Sequence, residues 1–125
     1  ALGIKVESIP GPSSVISALV VSGLPTDKFL FVGYPAKKGG KRRKFFENIK
    51  LAQEAIKSTV IIFESPHRLI ETLLDLKEVF GDINIVVCRE LTKIHEEVRR
   101  SKISASIEHF NKVTPKGEFV ILLHM

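Results

Sequence analysis

Two hydrophobic periods alternate along this chain. Ile4, Val6 and Ile9 sketch a short strand over about Lys5 to Ile9. Pro10 and Gly11 turn the chain, and Pro12 suits a first helical position, where a missing amide costs nothing. Val15, Ile16, Leu19 and Val20 then fall on one helical face, and Gly23 with Pro25 ends it. Phe29 to Tyr34, aromatic and β-branched, predicts a buried strand closed by Pro35. Residues 36 to 41 read as a basic, glycine-containing loop. A helix follows from about Arg42 to Ile56, with Phe45, Ile49, Ala52 and Ile56 on its inner face. Thr59 to Phe63 predicts a strand buried on both faces, because Val60 to Phe63 is an unbroken apolar run.

Ser65 as cap and Pro66 as first residue predict the next helix, with Leu69, Leu73, Leu76 and Phe80 along one side and Ile70 and Leu74 beside them. Gly81 stops it. Ile83 to Cys88 is a buried strand. Residues 89 to 96 are polar. Val98 to Ile103 is an edge strand, since its charges resist burial on both faces. Ser104 caps a short helix holding Ile107 and Phe110, and a last strand runs from Glu118 to Leu123. The alternation predicts an α/β domain: a layered mixed sheet flanked by helices, mixed because several links are too short for a crossover helix.

Composition sharpens this picture. At 125 residues the chain holds one ordinary domain. It lacks an apolar run of the roughly 20 residues a membrane helix needs, and no membrane partner is expected. The lone Cys88 and the absence of zinc-type Cys/His spacing point to a reducing, cytoplasmic setting with no metal. The net charge of +5 is concentrated in Lys37, Lys38, Lys41, Arg42, Arg43 and Lys44. Removing those six from the 19 basic residues leaves 13 against 14 acidic ones. Such a patch suits a polyanion such as nucleic acid, although a solvated loop and helix start has the same composition. The chain opens in mid-pattern at Ala1 without an initiator Met, as a piece of a longer protein would. Residues 1–24 are expected to belong with a preceding domain and 25–125 to form a second one.

Three junctions carry candidate chemistry. Pro10-Gly11-Pro12-Ser13-Ser14 offers amides and a helix dipole to an anion, or is simply a capped helix. Ser13, Ser17 and Ala18 leave room for a close approach there. Phe63-Glu64-Ser65-Pro66-His67-Arg68 lies where a buried strand meets a helix, the usual place for ligands in α/β sheets. Glu64 is expected at the rim, with His67 and Arg68 in the first helical turn. Cations there oppose the dipole, so a bound anion or an ion pair with Glu64 or Glu71 must hold them. Arg89 to Glu97 crowds ionisable groups after another strand and can orient and deprotonate a hydroxyl, or form an internal ion-pair network. His109, His124 and Cys88 read as structural.

The ordered segments Ile9-Pro10-Gly11-Pro12-Ser13-Ser14, Ser22-Gly23-Leu24-Pro25-Thr26-Asp27, Phe29-Leu30-Phe31-Val32-Gly33, Phe63-Glu64-Ser65-Pro66-His67-Arg68, Arg89-Glu90-Leu91-Thr92-Lys93 with His95-Glu96-Glu97, and Lys116-Gly117-Glu118-Phe119 span nearly the whole chain. Together they resemble the C-terminal part of the bacterial 16S ribosomal RNA 2′-O-ribose methyltransferases acting on cytidine. These belong to the tetrapyrrole methylase-like group of S-adenosylmethionine-dependent enzymes. One departure is Tyr34-Pro35, where that family usually has a bulky apolar residue before the proline. The resemblance implies a two-domain enzyme with the cofactor between domains, of which this chain lacks the N-terminal half. It implies Ser13 and Ser14 near the methionine end of the cofactor. Phe63, Glu64 and the Gly117 to Phe119 strand would lie near its adenine, largely through backbone atoms. It places catalytic candidates Arg89, Glu90, Lys93 and His95 on the RNA side, with Glu90 or His95 as proton acceptor and Lys93 or Arg89 steadying charge on oxygen. Lys37, Lys38, Lys41, Arg42, Arg43 and Lys44 would hold phosphates, with His67 and Arg68 also on the substrate side. Small-subunit ribosomal RNA and a second copy of the chain are the implied partners. Three alternatives remain: a related methylase acting on a tetrapyrrole or another substrate, a non-catalytic RNA-binding module, and a purely structural or dimerisation domain.

Overall fold

The computed structural model describes residues 10–90 and 96–125, with side chains from Ser14 onward. Among the described residues nine elements follow one another: α1 (Pro10–Ser22), β1 (Phe29–Gly33), α2 (Gly39–Ala55), β2 (Thr59–Glu64), α3 (Leu69–Phe80), β3 (Asn84–Arg89), β4 (Glu97–Lys102), α4 (Ile103–Lys112) and β5 (Phe119–Leu123). The expected strand over Lys5 to Ile9 lies outside the described residues.

The sheet has the order β1-β2-β5-β3-β4. β1 and β2 are parallel, joined by α2 as a crossover helix. β5 inserts between β2 and β3, antiparallel to both, and β4 hairpins back along β3. The sheet is mixed, as expected. β1, β2 and β3 run one way and β4 and β5 the other. The C-terminal ends of the first three and the N-terminal ends of the last two therefore share one edge of the sheet.

Strand alternation divides the core. Val60 and Ile62, Ile85 and Val87, and Phe119, Ile121 and Leu123 face α2, α3 and α4, where they meet Phe46, Ile49, Leu69, Leu73, Leu76 and Phe80. Their neighbours Ile61, Val86, Cys88, Val120 and Leu122 face Val15, Ala18 and Leu19 of α1. The guanidinium of Arg100 on β4 donates to the carbonyls of Val21 and Ser22, capping the C-terminus of α1. Ile16 and Val20 remain exposed, so the apolar face expected over Val15 to Val20 is only half used.

Several expectations are corrected. β1 is not buried: Phe29, Leu30 and Phe31 are exposed, because β1 is an edge strand paired only with β2. α2 starts three residues early, and its inner face is Arg42, Phe46, Ile49 and Gln53, with Ala52 and Ile56 outside. Polar bonds impose that rotation: Arg42 reaches Asp75 of α3, and Gln53 bonds both the hydroxyl and the amide of Ser58. α3 begins at Leu69, not Pro66, so Arg68 is its cap residue and His67 precedes the helix. Ser104 lies inside α4. Asp82 holds its amide and hydroxyl, and that donation lowers the Asp82 carboxyl below its usual value.

Candidate functional site

The shared edge gathers most of the residues singled out above. The register runs Glu64, Phe119, Arg89, Glu97 straight across β2, β5, β3 and β4. Tyr34, just past β1, packs edge-on against Phe63 at 5.8 Å, and Phe31 meets the same ring at 4.9 Å. Burial first, then the charges of Glu118 and Glu64, raises the Tyr34 phenol above its ordinary value, with Arg68 opposing. Lys37 and Lys38 follow Tyr34 within four residues and are exposed.

Glu64 does not stand open at the rim. It is 1% exposed. Its carboxylate accepts the Thr72 hydroxyl at 2.6 Å and the Ser65 amide at 2.8 Å, and the Arg68 guanidinium lies 3.4 Å away. The anion that Arg68 required is thus Glu64 itself. This carboxylate ties the end of β2 to α3 and shapes the turn through exposed His67. Phe119 is equally enclosed, ring against Phe110 at 5.4 Å. Neither side chain can meet a ligand, so an approach there is limited to backbone. Phe63 is half-buried and Ser14 half-buried on α1. Ser13 carries no described side chain.

The basic run divides in two. Lys37, Lys38, Lys41 and Lys44 are exposed. Arg42 is 3% exposed and its Nε lies 2.6 Å from Asp75. The same guanidinium donates to the carbonyls of Lys37 at 3.0 Å and Ala36 at 3.5 Å, with Glu71 3.6 Å away. Arg43, partly exposed, pairs with Asp75 at 3.3 Å and Glu78 at 3.8 Å. Arg42 is thereby corrected from a phosphate contact to an internal strut. It holds the loop that presents Lys37 and Lys38, and Arg43 is shared with α3.

At β3, Arg89 donates to the Lys116 carbonyl at 3.4 Å. Glu90 adopts φ 52°, a left-handed backbone that costs on the order of 1–2 kcal/mol. Its amide donates to the Glu118 carbonyl, and its carboxylate accepts the Glu118 amide at 2.8 Å. Lys93 and His95 lie outside the described residues. Arg89, Glu97, His109, Phe110, Pro115 and Lys116 line a cleft of about 390 Å³ beneath this edge, on the α4 side. Sequence reading missed that cleft, because His109 and Pro115 carry no motif. Cys88, buried as expected, has its thiol pushed up to about 11 by burial.

The edge as a whole offers an aromatic face (Phe31, Tyr34, Phe63), a backbone turn at Gly117 and exposed lysines. This set fits a nucleoside-bearing cofactor and a polyanion better than a metal, and no cluster of three metal-ligating side chains occurs among the described residues. No helix among the described residues is long and apolar enough to cross a membrane.

The Thermotoga maritima "Ribosomal RNA small subunit methyltransferase I" is 42% identical over 97% of this chain and 52% of its own length. Proteins of the same name from Synechocystis and Rickettsia prowazekii are 42% and 43% identical over 96% and 98% of this chain, and 42% of each relative. The chain therefore spans about half or less of these curated relatives. Among solved structures, the fold matches the methyltransferase CobJ (TM-score 0.55, 13% identity, 86% of this chain and 46% of that one). It also matches the cobalt precorrin-4 methyltransferase CbiF (0.56, 17%, 87% and 48%). The sequence profile of the Tetrapyrrole (Corrin/Porphyrin) Methylases matches residues 1–106. With its sheet edge built as described and that profile covering most of its length, this chain belongs to the tetrapyrrole methylase family.

Proposed function

We propose that the protein containing this chain methylates the ribose 2′-oxygen of a cytidine in small-subunit ribosomal RNA, using S-adenosylmethionine. The observation that carries the reading is the 42–43% identity, along almost all of this chain, to relatives named as small-subunit ribosomal RNA methyltransferases. The exposed lysines beside the aromatic edge are compatible with it, since they suit the phosphates of an RNA. A sulfonium cofactor supplies an electrophilic methyl group, and no metal is required. The chain's own task is to align the 2′-oxygen and help remove its proton. Lys37, Lys38, Lys41 and Lys44 hold phosphates, with His67 and Arg68 beside them. Arg89 and Lys93 steady charge on oxygen, and His95 is the candidate proton acceptor. Ser13, Ser14, Phe63 and the backbone of Glu64 and Gly117 to Phe119 form this half's share of the cofactor site.

The relatives' greater length supports an N-terminal cofactor domain ahead of this sheet, which residues 1–24 would join through α1, itself packed on the sheet, and a cytoplasmic location goes with this substrate. The exposed apolar edge at β1 supports pairing of two copies. The deciding experiment incubates the full-length gene product with labelled S-adenosylmethionine and unmodified small ribosomal subunits, then maps the modified nucleotide. Label on one ribose is the expected result. Label on a tetrapyrrole acid instead of RNA, or salt-sensitive RNA binding with no cofactor binding, would overturn the reading. This chain alone is expected to transfer little or no methyl group.

A further inference from the structure

Glu90 is the only non-glycine residue with positive φ among the described residues, and its side chain folds inward over Gly117. A Cβ placed on Gly117 would overlap the Glu90 carboxylate, with Cδ at 2.6 Å and Cγ at 2.8 Å. The two residues therefore require each other's shape. Glu90 and Glu118 also exchange hydrogen bonds: the Glu90 amide donates to the Glu118 carbonyl at 3.1 Å, and the Glu118 amide donates to Glu90 Oε1 at 2.8 Å. One residue earlier, Arg89 reaches the Lys116 carbonyl. Consecutive side chains at the end of β3 thus grip both ends of the turn that opens β5.

We propose that Glu90 is a positioning residue and not the proton acceptor of the reaction: its carboxylate, seated on the bare Cα of Gly117, clasps β3 to β5 and sets the direction of Arg89. A general base has to turn an oxygen toward the substrate, whereas Oε1 of this carboxylate is held by a backbone amide of its own fold and its Cγ and Cδ lie folded against Gly117. Left-handed backbone at a glutamate persists only where its surroundings over-determine it, and the reciprocal bonds do so here. The proposal deepens the methyl-transfer reading and rests on it for its kinetic arm only.

The test combines Glu90→Gln, Glu90→Gly, Gly117→Ala and the Glu90→Gly/Gly117→Ala pair. In the full-length product, Glu90→Gln keeps an acceptor oxygen for the Glu118 amide. Its kcat is expected to stay within about threefold, with the pH–rate profile in place, whereas loss of a general base costs about 10²–10⁴-fold. Gly117→Ala is expected to lower kcat about tenfold or more by displacing Glu90. On the Glu90→Gly background the same substitution costs several-fold less, a non-additivity expected only of residues that touch. The thermal midpoint of the chain itself shows the same non-additivity, with no activity needed. The strain of alanine at φ +83° persists in both backgrounds and cancels.

A Glu90→Gln enzyme that loses activity together with the acidic limb of its pH profile overturns the positioning role. Additive midpoints overturn the clasp. An unsubstituted protein that methylates no RNA overturns the proposed function instead, and the midpoint cycle then still decides the clasp.

Discussion

Arg42 and Asp75 form the interaction on which the structure departs furthest from the charge pattern, and its removal is measurable. Arg42→Met keeps the aliphatic stem of a side chain that is 4% exposed and removes its guanidinium. Asp75 Oδ2 then loses its 2.6 Å partner, and the carbonyls of Lys37 and Ala36 lose a donor. Breaking a buried pair from one side typically costs 3–5 kcal/mol. Arg43 still reaches Asp75 Oδ1 at 3.3 Å, so the low end applies, about 3 kcal/mol. With a urea m-value of about 1.5 kcal/mol/M for a chain this size, the midpoint falls by about 2 M. Removing both charges, as Arg42→Met with Asp75→Leu, leaves no stranded carboxylate and recovers at least half of that loss. Arg43→Ala, whose ion pairs are partly solvated, lowers stability by about 1 kcal/mol or less. Urea unfolding followed by circular dichroism measures all three. A midpoint for Arg42→Met within about 0.5 M of the unsubstituted chain would refute the assignment of Arg42 as an internal strut.

Three further outcomes are expected. Replacing Lys37, Lys38, Lys41 and Lys44 with glutamine lowers the slope of log affinity for RNA against log salt by about 0.7 for each phosphate no longer neutralised, read by fluorescence anisotropy. Glu64→Ala strands the Thr72 hydroxyl and the Arg68 guanidinium, and lowers stability by about 2–3 kcal/mol in thermal melts, more than Thr72→Val does. Cys88 stays unreactive to maleimide at pH 8 until the chain unfolds. Its folded pKa of about 11 exceeds the ordinary 9.0, so its contribution is whole below pH 9 and is lost as pH rises toward 11. The loss is about 2–3 kcal/mol relative to a Cys88→Ala chain.

Local pattern was a good guide wherever a segment's own neighbours decide its state. Val60 to Phe63 and Ile85 to Cys88 are strands whose two faces both find a layer, as unbroken apolar runs require. Leu69, Leu73, Leu76 and Phe80 line the buried side of α3 as their spacing demands. Two of the three junctions, at Glu64 and Arg89, fall at strand ends that meet on one edge of the sheet, whereas the strand expected before Pro10, Lys93 and His95 lie outside the described residues.

Pattern misled where a distant partner decides. The aromatic run of β1 reads as core, yet only its rank at the end of the sheet determines that Phe29 to Phe31 are exposed. Arg42 and Glu64 read as surface charges, yet Asp75, 33 residues away, and Thr72, in the helix that follows β2, draw them inside. Gly117 reads as a turn glycine, and nothing local announces that a glutamate from another strand occupies its missing side chain's space. Amino-acid order alone determined which segments are helices and strands, because those depend on backbone preference and periodicity over a few residues. Which charges became struts, which strand became an edge and which rim residues met were decided by β5 threading between β2 and β3. That choice depends on interactions summed over the whole sheet.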